Sequence, residues 1–171
     1  FIKEGINIEE ISVPIGAVPR RILIWIGSYF TESILKKVKK IYGQPDIIHA
    51  HFIDIASMVS NIIKSVDNYV ITEHSSVINN YISKKQKKEY FNTYRKADAL
   101  ITVSKDLQKR IKDEIGIDSI CINNMIDTSV FGYMSKDKND NIFRFVTVSS
   151  LTANKRVGLM IESFSKLISK Y

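Results

Sequence analysis

The sequence predicts an α/β fold in which a Rossmann-like parallel sheet carries helices on both faces. Short runs rich in β-branched residues alternate along the chain with longer amphipathic segments, and this alternation is typical of right-handed βαβ units. The short runs are apolar almost throughout, which is typical of strands that are buried on both faces of a parallel sheet. In such a sheet, ligands bind at the carboxyl ends of the strands.

The predicted strands share a short length, a high content of valine and isoleucine, and neighbouring turn residues. Gly43 and Pro45, for example, separate a helical segment from the strand that begins at Asp46, as turn residues commonly do. Strands are predicted over residues 8–13, 46–51, 69–72, 97–103, 119–122 and 143–148.

Between the strands, apolar residues recur every three or four positions, which predicts amphipathic helices. The best-defined of these has Ser104 as its N-cap, Asp106 in its first turn and Gly116 as its C-terminal stop, each a residue type suited to its position. Helices are predicted over residues 28–42, 53–66, 81–96, 104–115 and 157–168.

Residues 135–141 are polar and lack large apolar side chains, so they predict a linker. A strand and a helix follow this segment, and we therefore expect a first domain over residues 1–135 and the start of a second over 136–171. Phe1 stands where an initiator methionine is usual, and Tyr171 falls inside a helical pattern. We therefore expect the sequence to be part of a longer chain.

Composition and charge limit the classes of protein and partner. With 44% hydrophobic and 25% charged residues, a disordered tail, a collagen-like repeat and a disulfide scaffold are excluded. The formal net charge of +7 suits an anionic partner such as nucleotide phosphate, nucleic acid or acidic lipid. A single cysteine, Cys121, fits a reducing, cytoplasmic compartment. The most apolar run, residues 21–27, is far shorter than the roughly 20 residues that span a membrane.

Polar residues follow the strands, where ligands are expected. We expect His49 and His51 to lie on opposite faces of their strand, with His51, the last strand residue, directed toward the site. A zinc site is not expected, because one cysteine and three histidines without paired spacing make a poor ligand set. The polar strand-end residues are His49, His51, Glu73, His74, Ser104, Asn123, Asn124, Ser149 and Ser150.

Five segments, in order along the chain, resemble family 4 retaining glycosyltransferases of the GT-B fold. The segments cover residues 45–51, 71–74, 97–104, 122–131 and 145–155. The resemblance implies two Rossmann-like domains facing each other across a cleft, one for the acceptor and one for a sugar nucleotide. It also implies that this chain holds part of the acceptor-side domain and an incomplete second domain, so we expect the chain to be inactive on its own.

The same resemblance implies a reaction, the transfer of a hexose from a nucleotide diphosphate sugar to a glycan or lipid-linked acceptor with retention of configuration. It implies a role in cell-surface polysaccharide synthesis. It also implies that the reaction uses neither a cofactor nor a metal. Two alternatives remain open: a basic α/β module that binds nucleic acid, and a related chain that only binds its sugar ligand. Because the chain lacks a recognised nucleic-acid motif, we expect no nucleic-acid partner.

His74 is the candidate catalytic residue. An imidazole at a strand end can hydrogen-bond a sugar hydroxyl, and its pKa lies near working pH. The resemblance implies that this histidine lines the cleft near the transferred sugar; the alternative is a histidine that only completes the hydrogen bonds of a strand end. His51, Asn124 and Asp127 are candidate substrate-binding residues, although Asn and Asp are also common in turns for local reasons. Met125 stands where the family has glycine.

Lys155 and Ser150 are the candidates for binding the diphosphate. A fixed cation stabilises the negative charge that develops on a departing diphosphate, and helix starts favour anions. The family has an arginine at the position of Ser150, and a serine supplies a hydrogen bond but no charge. The alternative for Lys155 is a solvated lysine at the start of a helix.

Residues 84–88, with Arg95 and Lys96, hold most of the excess positive charge. Aromatic residues interleave with them, and basic residues mixed with aromatic ones on a helix predict peripheral contact with the inner membrane surface. The lysines at 36–40 extend this prediction, and the alternative is a solvated charged face. The interleaved aromatic residues are Tyr81, Tyr90, Phe91 and Tyr94.

Overall fold

A computed structural model describes residues 2–3, 6–7, 10, 18–63, 68–74, 78, 81–132 and 144–170. The chain forms two compact units, Phe1–Ile126 and Asp127–Tyr171. The predicted domain boundary near residue 136 lies outside the described residues, so the two predicted domains remain a prediction. The predicted strand over 8–13 also lies outside them, apart from Glu10.

The first unit contains a parallel sheet of four strands. These are β3 (Ile48–His51), β4 (Tyr69–Glu73), β5 (Ala99–Thr102) and β6 (Ile120–Cys121), which lie side by side in that order. A separate antiparallel pair, β1 (Ile2–Lys3) and β2 (Ile6–Asn7), precedes them. The parallel sheet confirms the predicted α/β class.

Four helices accompany the sheet, and neighbours along the chain pack against each other. They are α1 (Arg20–Tyr42), α2 (Ile53–Ser60), α3 (Lys84–Tyr94) and α4 (Lys105–Ile115). Helix α4 matches its prediction: the Ser104 hydroxyl accepts from the Leu107 amide at 3.2 Å, and Gly116 ends the helix with φ +83. Helix α1 begins eight residues before its predicted start, and α2 ends at Ser60 where its prediction ran to residue 66.

Helix α1 packs on α2 through small residues. A Cβ added to Gly27 would lie 2.4 Å from the Met58 sulfur, so a larger residue at this position would require the flexible Met58 side chain to move. The Ser28 hydroxyl donates to the Met58 carbonyl at 3.1 Å and accepts from the side-chain Nδ2 of Asn61 at 3.0 Å. The side of α1 that carries Ile24, Gly27 and Ser28 therefore faces the protein interior.

Side chains from the sheet and the helices meet in a core that includes one buried carboxylate. Ala50, Ile71 and Leu100 lie in register across β3, β4 and β5, and all three are buried. Glu73 is fully buried at the end of β4, where the Tyr94 hydroxyl donates to its Oε2 at 2.7 Å. Burial and the nearby Glu73 charge raise the pKa of Tyr94 well above its ordinary value.

The Tyr94 hydroxyl is expected to contribute measurably to stability. Tyr94→Phe should lower the free energy of unfolding by about 2 kcal/mol, because a buried carboxylate loses a hydrogen-bond donor. Urea denaturation measures this change. As a control, Tyr81→Phe removes a hydroxyl from a side chain that is 91% exposed and should change stability by less than about 0.5 kcal/mol. Equal stability of the wild-type chain and Tyr94→Phe would contradict the prediction.

The second unit contains a 3₁₀ turn (Ala153–Lys155) and helix α5 (Val157–Ile168), which has its predicted bounds. The prediction of a strand over 143–148 is wrong for the described residues 144–148, which form no regular secondary structure. A strand forms only when another strand hydrogen-bonds to it, and no described strand pairs with this segment. Instead, Phe145 packs edge-to-face on Phe164 with ring centroids 5.1 Å apart.

Candidate functional site

All three histidines of the chain meet at the carboxyl ends of β3 and β4. His51 Nδ1 lies 2.9 Å from His74 Nε2, and the two rings stack with centroids 5.2 Å apart. The His49 and His51 rings lie 4.3 Å apart, and His49 Nε2 hydrogen-bonds the Thr72 hydroxyl at 2.7 Å. Because the two strands are parallel neighbours, the sheet itself brings their carboxyl ends, and therefore these residues, together.

The expectation that His49 and His51 lie on opposite faces of β3 is wrong. Side chains on a strand alternate with a period of two, so residues 49 and 51 share a face and the residue between them points the other way. Ala50 is accordingly 2% exposed and belongs to the core, whereas both histidines are exposed. The spacing of two residues between His49 and His51 was the signal that would have placed His49 in the site.

Phe52 connects β3 to α2 in a strained backbone conformation. Its φ of 67° and ψ of 147° lie in a region that residues with a side chain rarely adopt,. Its amide donates to the Thr72 carbonyl at 3.0 Å, and its ring lies 4.9 Å from that of His74. The strained turn therefore sets the phenylalanine ring against the candidate catalytic histidine, a contact that sequence patterns do not indicate.

The strain at Phe52 predicts an unusual ranking of substitutions. Phe52→Gly is expected to be more stable than Phe52→Ala by about 1–2 kcal/mol, because glycine adopts positive φ without steric cost. Phe91, on the regular helix α3, is a matched control, where glycine should be less stable than alanine by about 1 kcal/mol. Thermal or urea unfolding of the four variants measures both differences. The same ranking at both positions would contradict the assignment of strain to Phe52.

The histidine cluster alters the protonation of His51. Partial burial, followed by the proximity of His49 and His74, lowers the pKa of His51 below its ordinary value of 6.5. In the neutral His51–His74 pair, one imidazole must donate and the other accept, so the two rings carry complementary tautomers. No group of three or more His, Cys, Asp or Glu side chains in the described ranges is arranged to hold a metal ion. The neutral imidazoles of the cluster are suited to hydrogen-bonding hydroxyl groups.

Acidification is expected to destabilise the chain through His51. Its folded-state pKa is lowered, so the unfolded chain binds more protons, and stability falls as pH drops through the unfolded value near 6.5. Urea midpoints measured between about pH 7 and pH 5 should therefore decline, and His51→Gln should reduce the slope. Carboxylates such as Asp127 and Glu114, whose pKa values are also lowered, affect stability only at lower pH. An unchanged slope in His51→Gln would contradict this assignment.

Asn124 and Asp127 lie in the irregular segment after β6. Asn124 is exposed, and the preceding Ile122 amide donates to the Thr102 carbonyl at 2.9 Å. The Asp127 carboxylate accepts from the Ser129 amide at 2.9 Å and from the Ser129 hydroxyl at 2.5 Å, and these bonds lower the pKa of Asp127. This arrangement is a local turn, so the predicted substrate-binding role of Asp127 remains a prediction.

Ser150 and Lys155 lie in the segment that leads into helix α5. The Thr152 amide donates to the Ser150 carbonyl at 2.9 Å, and the Lys155 amide donates to the Thr152 carbonyl at 3.0 Å. Arg156 then adopts a left-handed conformation with φ 50°, and α5 begins at Val157. The exposed Lys155 side chain therefore lies next to the amino-terminal end of a helix of 12 residues.

The structure groups the predicted site residues by unit. His51, His74 and Asn124 belong to the first unit, where the two histidines are in direct contact. Asp127, Ser150 and Lys155 belong to the second. The distance between Ser150 Oγ and Thr152 Oγ1 is 3.3 Å, so the Ser150 hydroxyl has a local partner, as the Asp127 carboxylate does in Ser129.

Comparison with known proteins identifies the family. No curated protein and no solved structure matches the chain. The family model of Glycosyltransferase Family 4 matches residues 3–130, about three quarters of the 171 residues. The match includes the parallel sheet and the whole histidine cluster. The chain therefore belongs to glycosyltransferase family 4.

Proposed function

We propose that the chain takes part in transferring a hexose from a nucleotide diphosphate sugar to a glycan or lipid-linked acceptor, with retention of configuration. Membership of the family supports a glycosyltransferase-type function. The observation that carries the finer proposal is the His51–His74 pair at the carboxyl ends of adjacent parallel strands, where α/β sheets bind their ligands. The process that we propose for this transfer is cell-surface polysaccharide synthesis.

His74 is proposed to contact the transferred sugar. His51 engages His74 Nε2, which leaves Nδ1 as the nitrogen for a sugar hydroxyl. Stacking on His51 and contact with the Phe52 ring hold the imidazole in one orientation, and a fixed orientation is what catalysis requires of such a group. His51 therefore acts through His74, and it fixes the tautomer that His74 presents to the substrate.

Lys155 and Ser150 are proposed to bind the diphosphate of the donor. Negative charge grows on the diphosphate as the bond to the sugar breaks, and a fixed cation lowers the energy of that transition state. The start of α5, with its unsatisfied amides, favours the same anion. The Ser150 hydroxyl contributes a hydrogen bond. Asn124 and Asp127 are proposed to bind substrate hydroxyl groups.

The enzyme is proposed to act from the cytoplasm and to reach its acceptor at the inner face of the membrane. In the residues that the structure describes, no helix is both long enough and apolar enough to cross a membrane, so any membrane contact proposed here is peripheral. The exposed lysines of α3, namely Lys84, Lys85 and Lys88, support an approach to anionic lipid. Lys87 contributes less, because its ammonium group is 2.5 Å from the Glu114 carboxylate.

A panel of nucleoside diphosphate hexoses tests the proposed function. Each sugar nucleotide is incubated with the full-length enzyme, with and without glycan or lipid-linked acceptors, and release of the nucleoside diphosphate is measured. We expect release from one donor, and a product whose anomeric proton shows the configuration of that donor in its NMR spectrum. Binding without release would support the alternative of a chain that only binds its sugar ligand. Absence of sugar-nucleotide binding, together with steeply salt-dependent binding of oligonucleotides, would overturn the proposal in favour of a nucleic-acid module.

A further inference from the structure

The strained turn at Phe52 leaves an aromatic ring on the surface next to the histidine cluster. Phe52 is 48% exposed, whereas the next residue, Ile53, is 3% exposed and belongs to the core. The centroid of the Phe52 ring lies 4.9 Å from that of His74, and the two ring planes are tilted by 39°. At the carboxyl ends of β3 and β4, four rings therefore form a continuous row, namely His49, His51, His74 and Phe52.

The turn explains the backbone conformation of Phe52 but not its side chain. β3 ends at His51 and α2 begins at Ile53, so a single residue must change the direction of the chain, and it does so with positive φ. Glycine adopts this conformation without steric cost, whereas a residue with a side chain is strained there. Packing in the core does not offset the strain, because about half of Phe52 remains exposed. Strain of this kind is concentrated at functional sites, which favours a binding role for the exposed ring.

An aromatic ring beside imidazoles matches the two kinds of surface that a pyranose presents. The hydroxyl groups around the edge of the sugar need hydrogen-bond partners, and imidazole nitrogens donate or accept. The C–H groups on the flat face of the sugar are apolar, and they pack on an aromatic ring, whose face is the negative side of its quadrupole. Ligand sites commonly combine apolar surface with a few well-placed polar groups in this way.

We propose that Phe52 is a stacking residue for the hexose of the sugar nucleotide. The C–H face of the pyranose lies on the exposed Phe52 ring while one sugar hydroxyl hydrogen-bonds Nδ1 of His74. The Phe52 amide donates to the Thr72 carbonyl at 3.0 Å, which fixes the ring before the sugar binds and so lowers the cost of ordering. A hexose with an axial hydroxyl on the stacked face would be held away from the ring, so Phe52 selects among hexoses by configuration. This inference rests on the proposed function and deepens it.

Paired calorimetric titrations of the full-length enzyme separate contact with the hexose from contact with the nucleotide. Each nucleoside diphosphate hexose of the panel described above is titrated beside its free nucleoside diphosphate. For the donor that binds, Phe52→Leu should weaken the affinity about five- to tenfold, because an apolar side chain remains but the flat ring is lost. Phe52→Tyr keeps the ring and should stay within about threefold of wild type. Free nucleoside diphosphate should bind wild type and variants equally.

A glycine variant and a second phenylalanine make the test independent of folding. Phe52→Gly relieves the backbone strain, so it is expected to fold, and it should weaken binding of the hexose donor about 20-fold through loss of the apolar surface. Phe91 is 40% exposed on the regular helix α3, and Phe91→Leu should leave both affinities unchanged. Epimers of the preferred hexose should bind more weakly to wild type, and Phe52→Leu should narrow this difference.

Two results would overturn the stacking role of Phe52. An equal loss of donor and free nucleoside diphosphate binding would indicate contact with the base or a general distortion of the site. Unchanged donor affinity in both Phe52→Leu and Phe52→Gly would indicate that the ring only packs against His74. Failure of every sugar nucleotide to bind the wild-type enzyme would instead overturn the proposed function, and the inference with it, so the two kinds of failure can be distinguished.

Discussion

In the full-length enzyme, replacing Lys155 with alanine is expected to lower the rate of sugar transfer about 30- to 1,000-fold, which corresponds to about 2–4 kcal/mol of lost transition-state stabilisation. Lys155 is exposed and precedes α5 by one residue, Arg156. The loss should appear mainly in kcat, because the diphosphate gains most of its charge only as the bond to the sugar breaks. Steady-state release of nucleoside diphosphate measures it.

A second lysine of the same unit provides the control for Lys155. Lys166 lies on α5 and pairs with Glu162 at 2.7 Å. Lys166→Ala removes the same charge as Lys155→Ala, but from within α5 and away from the amino-terminal end of that helix. We expect this variant to retain the wild-type rate within about twofold, as is usual for surface changes outside a site. If both variants were equally slow, or if Lys155→Ala turned over donor at the wild-type rate, Lys155 would not bind the diphosphate.

Replacing His74 with alanine is expected to lower the rate of transfer about 100-fold, which is the lower range for loss of a positioned acid–base or hydrogen-bonding group. His51→Ala should cost about tenfold, since it removes one hydrogen bond to His74 but leaves the imidazole that contacts the sugar. Because His51 acts through His74, the double variant should be no slower than His74→Ala alone.

The pH dependence of the rate distinguishes a positioning role of His51 from a purely structural one. His51→Ala should move the pH profile of kcat, because His74 Nε2 loses its hydrogen-bonded neighbour. A variant that is merely less stable would lower the rate at every pH without moving the profile. Additive losses in the double variant, or a profile that does not move, would contradict the positioning role.

Elements that are fixed by residues close to one another in the sequence could be predicted from local patterns. Helix α4 has its N-cap at Ser104 and its glycine stop at Gly116, and both residues act within a few positions of the helix end. The parallel sheet followed from the alternation of apolar runs with amphipathic segments, because this alternation leaves few arrangements that bury the runs. The strand-end rule then selected residues that the sheet does bring together, His51 and His74.

Features that depend on tertiary neighbours could not be predicted. The first turns of α1 come from an apolar run without a capping residue, and their helical conformation depends on packing against α2 around Gly27. The segment 144–148 has strand-like residues but no paired strand. The positive φ of Phe52 depends on how β3 must turn into α2, and a phenylalanine gives no hint of such a conformation in a sequence. These are the places where packing overrides local preference.

The histidines at the carboxyl ends of β3 and β4 are proposed to bind a nucleotide sugar, and imidazole NMR detects such binding at each histidine. The chain contains only three histidines, so each signal of a histidine-labelled sample can be assigned with His49→Gln, His51→Gln and His74→Gln. On titration with nucleoside diphosphate hexoses, we expect saturable shifts at His74 and His51 for one donor. Imidazole signals that stay unmoved by every donor, including any that calorimetry shows to be bound, would contradict the claim.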